Sequence, residues 1–433
     1  MRYFLNNCNS STTILISLSI ILFSGFIVTR LTKLIKLPNV SGFIIAGILI
    51  GPCVLNVIPS EMVQNLGFLS DIALAFIAFG VGKFFKKDII LKAGSKIIII
   101  TIFESLFAGI LITLSMHYIF KMDMEFSLLL GAIATATAPA STMMTIKQYH
   151  ARGEFIDVLL QVVAFDDVIC LFVFSIVSAL VMANTNGAIN IKDIALPIIY
   201  NVSILVVGFV CGLILSKLLS PRRSSDNRLI LVVAMLLSIS GICAMLDISP
   251  LLACMVFGAT YINLKKDKEL FDQIDNFTPP IMSMFFIVSG MYLDINALAS
   301  LGIIGVGYFF IRILGKYLGA FLGCHVTRYK KSIRNYLGVA LIPQAGVSIG
   351  LAFLGQRILP GDIGSRLLNI ILASSVLYEI IGPACAKISL FLSGTIKKQC
   401  EVKDNIIEVD HKQAIDSEAF KEIVKESPVH MNN

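Results

Sequence analysis

Thirteen stretches of the chain are almost wholly apolar, and polar or basic intervals separate them. They run over about 12–30, 39–57, 66–82, 97–120, 126–146, 155–183, 194–216, 229–246, 249–264, 279–293, 299–325, 335–356 and 367–394. An α-helix rises 1.5 Å per residue, so roughly 20 apolar residues cross a bilayer core. The pattern predicts an all-α polytopic membrane protein with 13 transmembrane helices. No removable signal peptide is expected, because the first run is long enough to span and lacks a small-residue cleavage site. After the last run comes a charged tail, 397–433, which reads as a cytoplasmic appendage.

The pattern also repeats. Segment 5 reads GAIATATAPAS and segment 12 reads GVALIPQAGVS, each with a proline at mid-span. Segment 3 reads LAFIAFGVGKFFKKDI and segment 10 reads MSMFFIVSGMYLDINAL, each an aromatic run, a glycine and an acidic residue. Both pairs are seven segments apart, and an odd offset reverses orientation in the membrane. Segments 1–6 and 8–13 therefore read as an inverted repeat with segment 7 between them, a design common among secondary transporters.

Composition and charge narrow the class. Of 433 residues, 56% are hydrophobic and 15% charged, against roughly 25% charged in soluble proteins. The net charge of +7 does not point to nucleic acid, because the basic residues lie between apolar spans rather than on one soluble module. Their placement sets orientation instead. Twenty-one Lys and Arg fall in one set of alternate loops and five on the other side, so the N-terminus is expected outside and the tail inside. The nine cysteines are scattered, without CxxC pairs, and read as small buried hydrophobes. No phosphate loop supports an ATP-driven pump.

Charge inside the spans carries the chemistry. An ionisable residue at the bilayer centre costs about 2.5–3.5 kcal/mol on insertion scales. Asp166 and Asp167 lie mid-span in segment 6, and Arg312 and Lys316 mid-span in segment 11. Pro139 and Pro343 fall at comparable depth, so four features meet at one level of the membrane. A mid-span proline removes a backbone donor and frees a carbonyl. Two interrupted helices crossing there would bring half-helix ends together, and adjacent carboxylates would offer a hard, oxygen-rich site for a cation or a proton. Arg312 and Lys316 share a helix face, and either could offset an aspartate. Arginine keeps its proton, whereas a buried lysine can release one. With Arg312 holding Asp166 ionised, one proton would replace one cation, an electroneutral cycle. Glu104 and Glu379 are lone mid-span glutamates, read first as structural and second as members of the ion path. Gly315, Gly319 and Gly323 form a small-residue face suited to close helix packing.

These residues resemble the monovalent cation:proton antiporter-2 family, the Kef-type and Nap-type exchangers, from about Leu31 to Ser389. LPNVSGFIIAGILIGPCVL, ATAPAS, AFDDV, LDISPLLACMVFGATYIN, FFIVSGMYLDI, RILGKYLGA, LIPQAGVSIGLAF and LYEIIGPACAK follow in the family's order. By that resemblance Asp167 is the ion-binding carboxylate, Asp166 its neighbour paired with a cation, Arg312 the family's positive position, and Thr137, Ala138, Pro139 and Gln344 the crossing region. Lys83 stands where many members carry an acid. The resemblance implies a scaffold and dimer domain (1–96 and 229–298), a mobile core (97–183 and 299–396), a linker helix (184–228) and the tail (397–433). It further implies a homodimeric plasma-membrane antiporter without cofactor, exchanging sodium or another monovalent cation for protons. A cation channel or potassium efflux pathway, and a sodium-coupled solute symporter of related fold, remain as alternatives. Paired acids without a repeated carbonyl filter weigh against a channel.

Overall fold

The computed structural model describes residues 10–34, 39–138, 142, 145–146, 149, 151–185, 191–219, 224–245, 250–293, 295–344, 346–359 and 361–396. The described residues are helical without strands. In chain order the helices are α1 (Ser10–Leu34), α2 (Asn39–Ile50), α3 (Ser60–Asn65), α4 (Phe68–Gly82), α5 (Lys87–Leu114), α6 (Met124–Ala134), α7 (Glu154–Thr185), α8 (Ile191–Leu218), α9 (Ser225–Met245), α10 (Leu251–Lys265), α11 (Glu269–Phe277), α12 (Pro279–Tyr292), α13 (Ile295–Val326), α14 (Lys331–Ala340), α15 (Gly346–Ile358) and α16 (Gly361–Leu392). Among the described residues, seven stretches are long and apolar enough to span a membrane, and five shorter apolar helices of 10–17 residues accompany them. The apolar runs thus fall on helices as expected, although this count does not by itself fix thirteen spans. The tail lies outside the described residues.

Two elements escaped the hydropathy pattern. Both α3 and α11 are short, and α11 alternates Leu270, Phe271 and Ile274, all buried, with charged positions. An amphipathic helix of nine residues has too little apolar length to read as a span. Within α5 the backbone breaks at Gly94, at φ 68°, a left-handed conformation that favours glycine. The apolar run of segment 4 begins just beyond this break.

Helix pairing carries the inverted repeat into three dimensions. Helix α2 packs on α12, and α10 packs on α4. Exchanging segments 2 and 9, and 3 and 10, turns one pair into the other. Each pair crosses at glycines: a Cβ on Gly47 would lie 1.9 Å from the carbonyl oxygen of Ile287, and one on Gly258 would lie 2.3 Å from that of Phe79. Only a residue without Cβ lets the backbones approach this closely. The symmetry-central pair is α5 with α13. There the predicted small-residue face is used in full, with Gly315, Gly319 and Gly323 lying against Ala108, Phe103–Glu104 and Ile100. The largest cluster of buried apolar side chains runs through α4, α6, α7, α10, α15 and α16. Among the cysteines, Cys170, Cys243, Cys254 and Cys324 are buried as expected, but Cys53 is exposed.

Candidate functional site

Helices α6 and α14 each stop in the buried interior. After Ala134 the chain runs without regular structure through Ala138, and after Ala340 it does so through Gln344. A helix ending in apolar surroundings leaves carbonyls that need donors. The two breaks supply them to one another. The Ala138 amide donates to the Pro343 carbonyl at 2.8 Å, and the Thr142 hydroxyl to the Ala340 carbonyl at 3.1 Å. The Thr137 hydroxyl reaches the Leu341 carbonyl at 3.5 Å. Gln344 donates to the Ile133 carbonyl at 2.9 Å and accepts from the Tyr308 hydroxyl at 3.0 Å. Thr137, Ala138, Pro343 and Gln344 therefore meet at a crossing of interrupted helices. Pro139 lies outside the described residues.

Two cations from α13 complete this crossing, and they divide the work differently from the sequence expectation. Arg312 is fully buried and does not touch Asp166. Its guanidinium donates to the carbonyls of Ala134 at 3.0 Å, Ile342 at 2.7 Å and Ala136 at 2.5 Å. It also lies over the Tyr378 ring, 4.7 Å from the centroid. The physical reason is the helix ends: α6 and α14 both terminate here, and their C-terminal dipoles attract a permanent positive charge. A planar fork of five donors suits several carbonyls at once.

Lys316, one turn along α13, is the partner of the carboxylates. Its ammonium lies 2.8 Å from Glu104 Oε2, 3.1 Å from Asp166 Oδ2 and 2.9 Å from Thr137 Oγ1, and it donates to the Thr135 carbonyl. All three charged side chains are fully buried. Glu104 is accordingly not a lone glutamate but half of an ion pair. Ser105 donates to the other oxygen of Asp166. The electroneutral expectation rested on Arg312 fixing the charge of Asp166, and that contact is absent from the described structure.

Asp167 stands apart. It is 8% exposed, and its Oδ1 has no hydrogen-bond partner. With three carboxyl groups and one lysine, the fully ionised cluster would carry two negative charges in excess. Charge of that size in a water-poor region must be neutralised by protons or cations. Within the cluster, Asp167 Oδ1 and both oxygens of Glu104 make no hydrogen bond of acceptable geometry, the contact of Glu104 with Lys316 being an ion pair.

Several partners were not read from the sequence. Ser105 is adjacent to Glu104, and Tyr308 is four residues before Arg312 on the same face; both spacings were available as signals. The Tyr378 hydroxyl, which donates to the Phe309 carbonyl at 2.9 Å, had no such signal. Glu379 is buried on α16 and stands outside this network of bonds.

An all-helical membrane bundle with crossed, interrupted helices and buried carboxylates defines a secondary transporter, not an enzyme. The chain belongs to the family described as sodium/hydrogen exchanger, transmembrane, whose model matches residues 18–387. It is 23% identical over 329 residues to the Bacillus cereus protein named "Probable Na(+)/H(+) antiporter GerT", covering 73% of this chain and 84% of that one. It is 22% identical over 393 residues to "Probable Na(+)/H(+) antiporter 3" of Methanocaldococcus jannaschii, covering 88% and 97%. The solved sodium proton antiporter MjNhaP1 of the same organism superposes with a TM-score of 0.70 at 20% identity, covering 88% of this chain and 99% of that structure. That likeness establishes the shared fold.

Proposed function

We propose that this chain exchanges a monovalent cation, sodium in the first instance, for protons across the plasma membrane by alternating access, with Asp166 and Asp167 as the exchange site. The observation that carries the reading is the contrast within the aspartate pair. Asp166 is held by Lys316 and Ser105, while Asp167 has a buried oxygen with no partner. A group already tied to fixed donors orients the site; a group with an open coordination position exchanges its occupant. The scaffold and core division, the homodimer and the outside N-terminus belong to the same proposal. Lys316 replaces Arg312 as the partner of Asp166, and a buried lysine can release its proton. We therefore assign Lys316 as a second proton carrier, which makes the cycle electrogenic.

The test is cation-dependent proton flux in proteoliposomes. Asp167→Asn keeps the shape, removes the charge and is expected to abolish exchange in protein that inserts normally. Exchange near the wild-type rate would refute the site. Clamping the membrane potential tests the charge balance, since one elementary charge crossing 100 mV is worth roughly 2.3 kcal/mol. Lys316→Arg, which cannot release its proton, is expected to make any residual exchange insensitive to potential.

A further inference from the structure

A second set of oxygens without partners lies on α16, away from the crossing. Glu379 is fully buried, and neither of its carboxyl oxygens has a hydrogen-bond partner. One turn earlier on the same face, Ser375 is also fully buried and its hydroxyl is likewise unmatched. One turn later Pro383 sits inside the helix. Proline has no amide to offer the carbonyl four residues before it, which is that of Glu379. Two consecutive turns of one helix thus present a carboxylate and a hydroxyl that make no hydrogen bond.

The depth is that of a functional group rather than a surface one. Glu379 lies roughly 27 Å along α16 from its start and about 20 Å from its end, at 1.5 Å per residue. Tyr378 beside it faces Arg312 and α13. Neighbouring residues on a helix point to different sides, so Glu379 leaves α16 in another direction. Arg312 is turned elsewhere, each of its three nitrogens donating to a carbonyl of the crossing. No ion pair to Glu379 occurs among the described residues.

Buried polar groups without partners are rare, and each calls for an occupant or a role. A proton on Glu379 would let the carboxyl and the Ser375 hydroxyl bond each other but would leave the second carboxyl oxygen without a donor. A small hard cation takes carboxylate and hydroxyl oxygens together and completes its shell with further oxygen ligands. We propose that Ser375 and Glu379 form a second monovalent-cation site on α16, distinct from the Asp166–Asp167 site.

The experiment is equilibrium binding of radioactive sodium to the purified full-length chain in lipid nanodiscs, comparing wild type, Asp167→Asn, Glu379→Gln and Asp167→Asn/Glu379→Gln. Each single variant is expected to bind half as much sodium at saturation as the wild type, and the double variant none. Ser375→Ala removes one ligand and keeps the carboxylate; its second site is expected to weaken about tenfold, the equivalent of roughly 1.4 kcal/mol. It also serves as the readout should Glu379→Gln fail to give monodisperse protein. Loss of all binding in Asp167→Asn, or equal binding by Asp167→Asn and the double variant, overturns the second site and leaves the first in place. Full wild-type binding in Asp167→Asn together with loss in Glu379→Gln would instead overturn the first site and keep the second.

Discussion

Ion pairs occupy two kinds of place in this molecule, and the same side chains have different energetics in each. At mid-membrane, Lys316 meets Glu104 and Asp166 with all three side chains fully buried. At the helix ends, Lys330 pairs with Glu154, Lys83 with Asp275 and Arg357 with Asp71, and in each pair at least one side chain is half-exposed or more. Water solvates the second group whether or not the pair forms, so each such pair contributes little, about 0–1 kcal/mol. The first group has no such alternative. Removing one partner there strands a charge, which costs several kcal/mol even where the intact pair gains little over apolar packing. Buried charge is thus kept in this molecule at a cost, and it is kept where transport is proposed to occur.

The largest effect is therefore expected from Lys316→Met. It strands Asp166 and Glu104 together and is expected to lower stability by roughly 3–5 kcal/mol, read as thermal unfolding in nanodiscs. A double-mutant cycle sharpens the assignment. Asp166 and Lys316 should couple strongly, whereas Asp166 and Arg312 should add within about 0.5 kcal/mol. Coupling to Arg312 instead would reverse the roles assigned to the two cations.

Next comes Arg312→Lys. Charge is conserved, but a single ammonium cannot reproduce a fork that reaches the carbonyls of Ala134, Ala136 and Ile342. Losing one or two charge-assisted bonds is expected to cost about 2–3 kcal/mol. An unchanged unfolding temperature would mean that the crossing is held by its own backbone bonds.

How much of this was legible before any coordinates follows the same division. The spans could be read because apolar length is a one-dimensional property, and the crossing because Pro139 and Pro343 occupy matching places in two similar segments. That Asp166, Asp167, Arg312 and Lys316 are buried deep within their helices could be read from their place far from either end of an apolar run. Which cation meets which carboxylate could not. Arg312 and Lys316 share a face one turn apart, and the choice between them depends on where α6 and α14 end against α13. Glu104 looked solitary for the same reason: its partner is 212 positions away in the sequence. The amphipathic α11 was hidden by its shortness.

A smaller effect is expected at Asp267, in the loop before α11. This carboxylate receives the Arg228 guanidinium, the Tyr261 hydroxyl at 2.7 Å and the Leu270 amide at 3.4 Å. Burial opposes its ionisation, but the Tyr261 hydroxyl and Arg228 outweigh burial and hold the carboxyl below the usual carboxylate range. A depressed folded value stabilises the protein above the unfolded value, and that contribution is lost as pH falls through the folded one. Stability should therefore decline at acid pH, below about pH 4. Asp267→Asn should flatten this part of the profile. Equal acid sensitivity in variant and wild type would show that Asp267 does not contribute.

The smallest effect is expected from a pair whose two parallel bonds are those of a strong contact but whose exposure is that of a surface one. Arg357, in the last turn of α15, grips Asp71, in the first turn of α4, through two parallel bonds of 3.0 and 3.1 Å. Paired geometry of this kind gives Arg–carboxylate contacts their strength. Yet the Arg357 side chain is 50% exposed and that of Asp71 17%, so solvent shares the interaction. Attachment between these helices is carried by packing: the Leu74 side chain of α4 fills the space where a Cβ on Gly350 of α15 would stand. Arg357→Gln is therefore expected to cost less than about 1 kcal/mol. That cost should shrink further in 1 M salt, where the screening length falls to about 3 Å. The charge-swapped variant Asp71→Arg/Arg357→Asp should recover most of it. A salt-independent loss above about 3 kcal/mol would place this pair with Lys316 and its carboxylates, and exposure would no longer separate the two kinds of ion pair.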